Sequence, residues 1–154
     1  HRLSRERARH VLAVFTTEAA LTRDLPEDLR DAWERLRETI ADFGEQRIYA
    51  SHHSIMFARK ACYAFVRPKA TRLEVCVFLG RTVKSPLVRR TAATSRVKVS
   101  HIIHVRHRDE VEAPLTDWLR EAYEVTDTLG GKGRTTGVVR KKRPGGRDMP
   151  PDLK

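Results

Sequence analysis

The sequence predicts one α+β domain, in which helices at both ends of the chain back an antiparallel sheet of about four or five strands. Two observations predict this class. Near both ends, apolar residues recur every three or four positions, whereas the middle of the chain contains short apolar runs with strand-like spacing. The 154 residues can bury one core without disulfides or metal. We expect this domain to cover residues 1–129, followed by a flexible basic tail at 130–154.

The N-terminal helices are expected within residues 4–43. Ser4 is a suitable cap for the first one. In the second, Pro26 fits the first turn, and the acids that follow it suit the positive end of the helix dipole. Its apolar stripe, which we expect to lie in the core, comprises Leu25, Leu29, Trp33, Leu36, Ile40 and Phe43.

The sheet is predicted between residues 45 and 106. Its candidate strands are 47–50, 56–58, 62–66, 72–79 and 96–105. Residues 80–94 contain Pro86 and show no clear period, so we expect a basic loop there. In the last candidate strand, alternation predicts a core face made of Val97, Val99, His101, Ile103 and Val105. The opposite, solvated and basic face would comprise Lys98, Ser100, Ile102, His104 and Arg106.

A C-terminal helix is expected at residues 109–127. Asp109 can cap it, although Pro114 follows soon after and the helix could begin nearer Ala113. Its apolar side comprises Val111, Leu115, Trp118, Leu119 and Tyr123. From Gly130 onwards the chain is rich in glycine, proline and basic residues, and its apolar surface is too small to offset the entropy cost of ordering.

Positive charge is concentrated in the predicted sheet. Residues 46–108 contain fourteen Lys and Arg residues and one acid, Glu74, while the whole chain has a net charge of +11. Such segregation is informative about partners rather than about fold. A polyanion, and nucleic acid first, is therefore the predicted partner class.

The candidate contacts to nucleic acid are the cations of this region, the aromatic residues between them and the polybasic run of the tail. Tyr49, Tyr63 and Phe65 interleave with the cations, and an exposed ring can stack on a base for ~1–3 kcal/mol. For Phe65 we favour core packing over stacking, whereas Tyr49 fits either. The predicted contacts are Arg47, Tyr49, Arg67, Lys69, Arg72, Lys98, His104, Arg106, Arg140, Lys141, Lys142 and Arg143.

We expect no cofactor and no metal, because the sequence has no paired CxxC pattern, no phosphate loop and no nucleophile elbow. His101, His104 and His107 are spaced by three, which on a strand places His104 opposite the other two. Glu74 alternates with apolar neighbours, and we expect it to pair with an arginine rather than a metal ion.

The chain has only two cysteines, Cys62 and Cys76, and both lie in apolar strand patterns that are typical of buried thiols. Free thiols fit a reducing compartment. The N-terminus lacks the apolar core of a signal peptide, and no apolar run is long enough to span a membrane. These features predict a cytoplasmic protein without a membrane partner.

Several segments together share the order of elements of a known family. They are the helix around Trp33, Arg47-Ile48-Tyr49-Ala50, Met56-Phe57-Ala58, Tyr63-Ala64-Phe65-Val66-Arg67-Pro68-Lys69, Leu73-Glu74-Val75-Cys76-Val77 and Trp118-Leu119-Arg120-Glu121-Ala122-Tyr123. Over residues 33–123 the chain resembles an uncharacterised bacterial domain family of unknown function, sometimes described as a "predicted transport protein". The resemblance implies an accessory module with an α+β fold, often attached to larger proteins, some of which have nuclease-like neighbours. It supplies no catalytic residues.

The favoured interpretation is a non-enzymatic accessory module that binds nucleic acid, DNA or RNA, through a basic sheet surface and the tail. The alternative is a protein–protein interaction or oligomerisation domain of a larger bacterial protein, whose basic surface meets an acidic partner or a second copy. A third, less favoured hypothesis is an enzyme whose site includes Tyr49, His53 and Glu74.

Overall fold

A computed structural model describes residues 16–132, which form a six-stranded antiparallel sheet and a layer of helices. The strands are β1 (Arg47–Ser51), β2 (Ser54–Ala58), β3 (Cys62–Pro68), β4 (Leu73–Leu79), β5 (Val88–Ala93) and β6 (Val99–Val105). The helices are α1 (Glu18–Thr22), α2 (Glu27–Ala41), a 3-10 turn (Arg108–Glu110) and α3 (Leu115–Lys132). The strand order is β1-β2-β3-β4-β6-β5. The α+β class, with an antiparallel sheet backed by N- and C-terminal helices, is confirmed.

The helices bury the stripes that their sequence pattern predicts. Trp33 of α2 and Trp118 of α3 are 4% and 8% exposed, and both belong to one core cluster with the sheet. The Trp33 ring lies 6.2 Å from that of Phe57 in β2. The expected helix beginning at Ser4 lies outside the described residues.

The C-terminal helix starts later than residue 109. A short 3-10 turn at Arg108–Glu110 comes first, and the Glu110 side chain bonds back to the His107 N–H. The helix proper begins at Leu115, directly after Pro114, whose carbonyl oxygen accepts from the Trp118 N–H at 3.0 Å. Proline has no N–H to donate, so it is better tolerated at a helix start than inside it.

Strand β4 lies at the centre of the sheet, and its alternation sets the two faces. Toward the helices it presents Leu73, Val75, Val77 and Leu79. These residues are paired across the strands with Val105, Ile103, His101 and Val99 of β6. The predicted core face of β6 is therefore confirmed for His101, Ile103 and Val105. Val99 is only half-buried, and Val97 precedes the strand and lines a cleft on the other side of the sheet. On the face that we expected to be solvated, Ser100 and Ile102 are buried, so this face is wet only toward its ends.

Strand β5 lies within residues 80–94, where we expected a loop, and it raises the number of strands above the four or five expected. It is an edge strand that pairs only with β6, and every residue from Arg89 to Ala93 is exposed. An edge strand with both faces solvated has no apolar alternation to detect, which is why the sequence pattern missed it.

The imidazole of His101, on the core face of β6, is 1% exposed and holds the loop between β4 and β5. Its Nε2 accepts a hydrogen bond from the Val83 N–H at 2.9 Å, and its Nδ1 lies 3.3 Å from the Val77 carbonyl oxygen. Both ring nitrogens thus have a backbone partner, as a buried imidazole requires.

Candidate nucleic-acid interface

The candidate interface is the side of the sheet opposite the helices, called the open face below. One row of side chains crosses it from β1 to β5, in the order Tyr49, Met56, Phe65, Cys76, Ile102 and Arg90. This row is apolar at its centre, and Tyr49, at the β1 edge, is 39% exposed. The open face therefore combines an apolar middle with polar ends.

Three aromatic rings on the open face each have a cation beside them. The guanidinium carbons of Arg47 and Arg67 lie 5.4 Å from the ring centroids of Tyr49 and Phe65, respectively. The Lys98 ammonium lies 5.6 Å from the centroid of Phe78. These separations are within the range in which a cation is attracted to a ring face.

Two of these rings contact each other and border a cleft. The centroids of Phe65 and Phe78 are 6.0 Å apart, with their planes tilted by 53°. The cleft beside them has a volume of about 430 Å³, and Cys62, Lys98 and Leu129 also line it. Both phenylalanines are partly exposed rather than buried, so a planar ligand can reach them.

A cluster of charged residues, the basic corner, occupies one end of the open face and comprises Arg67, Arg72, Glu74, His104 and Arg106. Glu74 lies between Arg67 of β3 and His104 of β6 in the strand register. Its carboxylate oxygens lie 3.8 Å from Arg67 Nη1 and 3.8 Å from His104 Nε2. Arg67 also donates to the Ser54 hydroxyl at 3.2 Å. Glu74 thus pairs with an arginine, as its place in the strand suggested.

The pKa of His104 is lowered below its usual value, chiefly because the imidazole is desolvated. The positive charges of Arg72, Arg89 and Arg106 lower it further, and Glu74 opposes them. The neutral imidazole is therefore favoured while the corner holds only its own charges.

The two thiols of the open face are poor nucleophiles. Burial raises the pKa of the Cys62 thiol, and it raises that of Cys76 to about 12. Because the thiolate is the reactive form, these cysteines have the low reactivity of buried thiols.

The structure places seven of the predicted contacts on the open face or at its end, namely Arg47, Tyr49, Arg67, Arg72, Lys98, His104 and Arg106. Arg72 and Lys69 lie in the turn between β3 and β4, with Lys69 exposed. The remaining four, Arg140, Lys141, Lys142 and Arg143, lie outside the described residues.

The two aromatic residues of β3 lie on opposite sides of the sheet, and Phe65 is not on the side that we expected. Phe65, for which we favoured the core, lies on the open face, whereas Tyr63 is buried and meets the Tyr123 ring edge-on at 5.6 Å. A register shift explains the difference, because Phe57 pairs with Ala64 while Ala58 pairs with Cys62. Tyr63 is the extra residue of this bulge, which turns its ring toward the helices.

Sequence reasoning missed Phe78, Arg89 and Arg90. Phe78 shares the alternation of Glu74 and Cys76, so the pattern of β4 contained the signal needed to place it. The two arginines belong to the edge strand β5, whose lack of alternation hid their position.

The residues of the third hypothesis do not come together. Tyr49 lies on β1 and Glu74 on β4, three strand spacings apart in the sheet, which is about 14 Å. Within residues 16–132, no group of three or more His, Cys, Asp or Glu residues is placed to hold a metal ion. In the same part of the chain, no helix has the length and apolar character needed to cross a lipid bilayer.

Comparison with known proteins identifies one family. Neither a curated protein nor a solved structure gives a significant match to the chain. A family model described as "Domain of unknown function (DUF5655)" matches residues 18–126, which is more than half of the chain and includes every strand of the sheet. The chain therefore belongs to the DUF5655 family, a family of domains of unknown function.

Proposed function

We propose that this domain binds single-stranded nucleic acid on the open face, with bases stacked on its aromatic rings and phosphates held by its cations. The observation that carries the proposal is the pairing of each open-face ring with a cation, at Tyr49, Phe65 and Phe78. Aromatic platforms flanked by positive charge are the usual means by which proteins bind single strands with little sequence preference.

The exposure of the rings supports stacking as a role beyond packing. Within residues 16–132, the exposed large hydrophobic side chains are those of Tyr49 and Leu87. Phe65 and Phe78 are covered on one side by the sheet and are partly open on the other. A base that covers such a ring removes apolar surface from water on both partners, which favours association.

The distribution of charge supports a polyanion as the ligand. The basic corner has three arginines around one carboxylate, and Lys98 and Arg47 add charge at the other end of the sheet. The helical layer differs, because the exposed side of α2 carries Asp31, Glu34 and Glu38. A ligand with a negative backbone would be attracted to one side of the domain.

The test is a salt series with a charge-reversal variant. We expect the variant Arg72→Glu, Lys98→Glu and Arg106→Glu to bind a labelled single-stranded oligonucleotide more weakly than the wild type. Loss of the phosphate contacts at the two ends of the open face should also reduce the slope of log affinity against log salt by about 1.4, at ~0.7 for each phosphate of a single strand. Tryptophan fluorescence verifies folding, because Trp33 and Trp118 are buried in the wild type.

The matched control reverses three exposed arginines of the helical layer, Arg23, Arg108 and Arg120. It changes the net charge by the same amount, so it separates a local interface from a general effect of charge. Equal affinity and equal slope for the open-face variant and the wild type would contradict the proposal.

A second candidate function is interaction with an acidic protein surface, including that of a second copy. It is favoured by the exposed acids of α2, at Asp31, Glu34 and Glu38, which could face the open face of another molecule. A molar mass in light scattering that rises with protein concentration and falls with added salt, without nucleic acid, would favour this candidate.

A further inference from the structure

We propose that the basic corner holds one backbone phosphate of the nucleic acid, between Arg72, His104 and Arg106, and that the bound phosphate keeps His104 protonated. This inference rests on the proposed function. It adds where one phosphate binds, and that His104 takes up a proton when the phosphate binds.

The strand register brings the three residues together. Glu74 is opposite His104, and Leu73 is opposite Val105. Continued by one residue, this antiparallel register places Arg72 opposite Arg106, next to His104 on the same end of the open face. The three side chains thus converge on one region from β6 and from the turn before β4.

The donors of the corner are incompletely used. The carboxylate of Glu74 lies 3.8 Å from both Arg67 and His104, which is beyond hydrogen-bond distance. Among the described residues, Arg72 Nε and His104 Nδ1 are buried and have no hydrogen-bond partner. Buried polar nitrogens without partners are costly. A phosphate supplies several acceptor oxygens, for the Arg72 Nε–H and for both N–H groups of a protonated His104, once these side chains turn toward it.

The charges around His104 come from every strand beside it. Glu74 is on β4, Arg89 is on β5, Arg106 follows on its own strand and Arg72 lies in the turn before β4. One carboxylate cannot balance these guanidinium groups, which also include Arg67 on the far side of Glu74. A phosphate between them would offset their repulsion of an imidazolium.

The consequence is linkage between binding and protonation. In the free domain, desolvation and the arginines keep the pKa of His104 below its usual value. A bound phosphate raises that pKa, so the complex takes up a proton and affinity increases as the pH falls. Each unit by which the pKa of His104 is higher in the complex than in the free domain corresponds to at most about a tenfold gain in affinity at low pH.

The experiment uses the whole chain and a labelled single-stranded dT oligonucleotide at constant ionic strength. We expect affinity to be roughly tenfold higher at pH 5.5 than at pH 7.5, since one imidazole is protonated on binding. An NMR titration of the His104 imidazole should show its pKa rising when the oligonucleotide is added.

Two variants locate the effect. His104→Gln removes the titrating group and should bind with an affinity that depends little on pH. His53→Gln changes an exposed histidine of the β1–β2 turn and should keep the wild-type pH dependence. A His104→Gln variant with the full wild-type pH dependence would overturn the inference.

The outcomes separate this inference from the proposed function. If the oligonucleotide binds while the pKa of His104 stays unchanged, the phosphate is not in the corner, but nucleic-acid binding stands. If the wild type binds no oligonucleotide even at low salt, the proposed function fails and the inference fails with it. A rise in that pKa with inorganic phosphate alone would support the corner as the site.

Discussion

At the scale of single residues, the environment of each open-face side chain decides what it can contribute. Tyr49 is the most accessible of the three aromatic residues, because it lies on the edge strand β1, and it is 39% exposed. Phe65 and Phe78 contact each other, so a change at either one also alters the packing of the open face. Tyr49 is therefore the position at which stacking can be tested with the least effect on stability.

We expect Tyr49→Ala to weaken oligonucleotide binding by about 1–3 kcal/mol, because one base loses its stacking surface. Fluorescence anisotropy with a labelled single strand measures this change. Leu87→Ala is the control, since Leu87 is 48% exposed and lies in the loop between β4 and β5, away from the central row of the open face. Wild-type affinity for Tyr49→Ala would show that no base stacks on the Tyr49 ring.

At the scale of elements, helix α3 links the core to the end of the sheet. Its residues Trp118, Leu119 and Ala122 are buried against the core face, and Leu129 reaches the start of the loop after β4. A Cβ on Gly80 would stand 3.2 Å from a Leu129 methyl group, so glycine leaves room for this contact. The helix therefore contributes packing beyond Asp127, where we expected it to end, as far as Leu129.

We expect removal of residues 133–154 to change the melting temperature by less than ~5 °C, which is about 1 kcal/mol for a domain of this size. That segment is rich in glycine, proline and charge and has no apolar period. A chain that ends at Asp127 should melt about 5 °C lower, because it also loses the packing of Leu129. Thermal unfolding followed by circular dichroism compares the two truncations, and equal melting temperatures would show that Leu129 contributes little.

At the scale of the whole molecule, charge and packing are divided between the two faces of the sheet. The core face is covered by helices and holds the main apolar cluster, whereas the open face carries the basic corner beside a smaller apolar centre. We expect repulsion within that corner to reduce the stability of the free domain, and any anion bound there to increase it. Binding and stability are therefore expected to respond to pH through the same groups.

We expect the free energy of unfolding to fall as the pH drops from about 7 to 5. The unfolded chain protonates its histidines near pH 6.5, while the folded domain resists protonation of His104, whose pKa is lowered by desolvation and by nearby arginines. Protons therefore bind more readily to the unfolded state. The free energy of unfolding begins to fall as the pH drops through the pKa of an unfolded histidine, and it continues to fall until the pH reaches the lower pKa of His104 in the folded domain.

Urea denaturation at several pH values measures this effect. His104→Gln should lose less stability than the wild type between pH 7 and 5. Glu121 adds a separate loss of stability at lower pH. Its hydrogen bonds from Arg81 lower its pKa, and they are lost once the carboxylate is protonated. Identical pH profiles for His104→Gln and the wild type would rule out the assigned role of His104.

The amino-acid sequence by itself determined the apolar period of the helices and of β4 and β6, and the faces that follow from it. Alternation in β6 separated His101 from His104, and the stripes of the helices located Trp33 and Trp118 in the core. These features depend on local backbone geometry, which any segment carries with it. The concentration of positive charge in the sheet region is likewise a property of the sequence alone.

Only the tertiary structure decided which residues meet. Strand order places β4 between β3 and β6, so that Glu74 lies between Arg67 and His104. The bulge at Tyr63 and the edge position of β5 also depend on partners distant in the chain. Pairing between distant strands follows from how the whole core packs, and no local period encodes it.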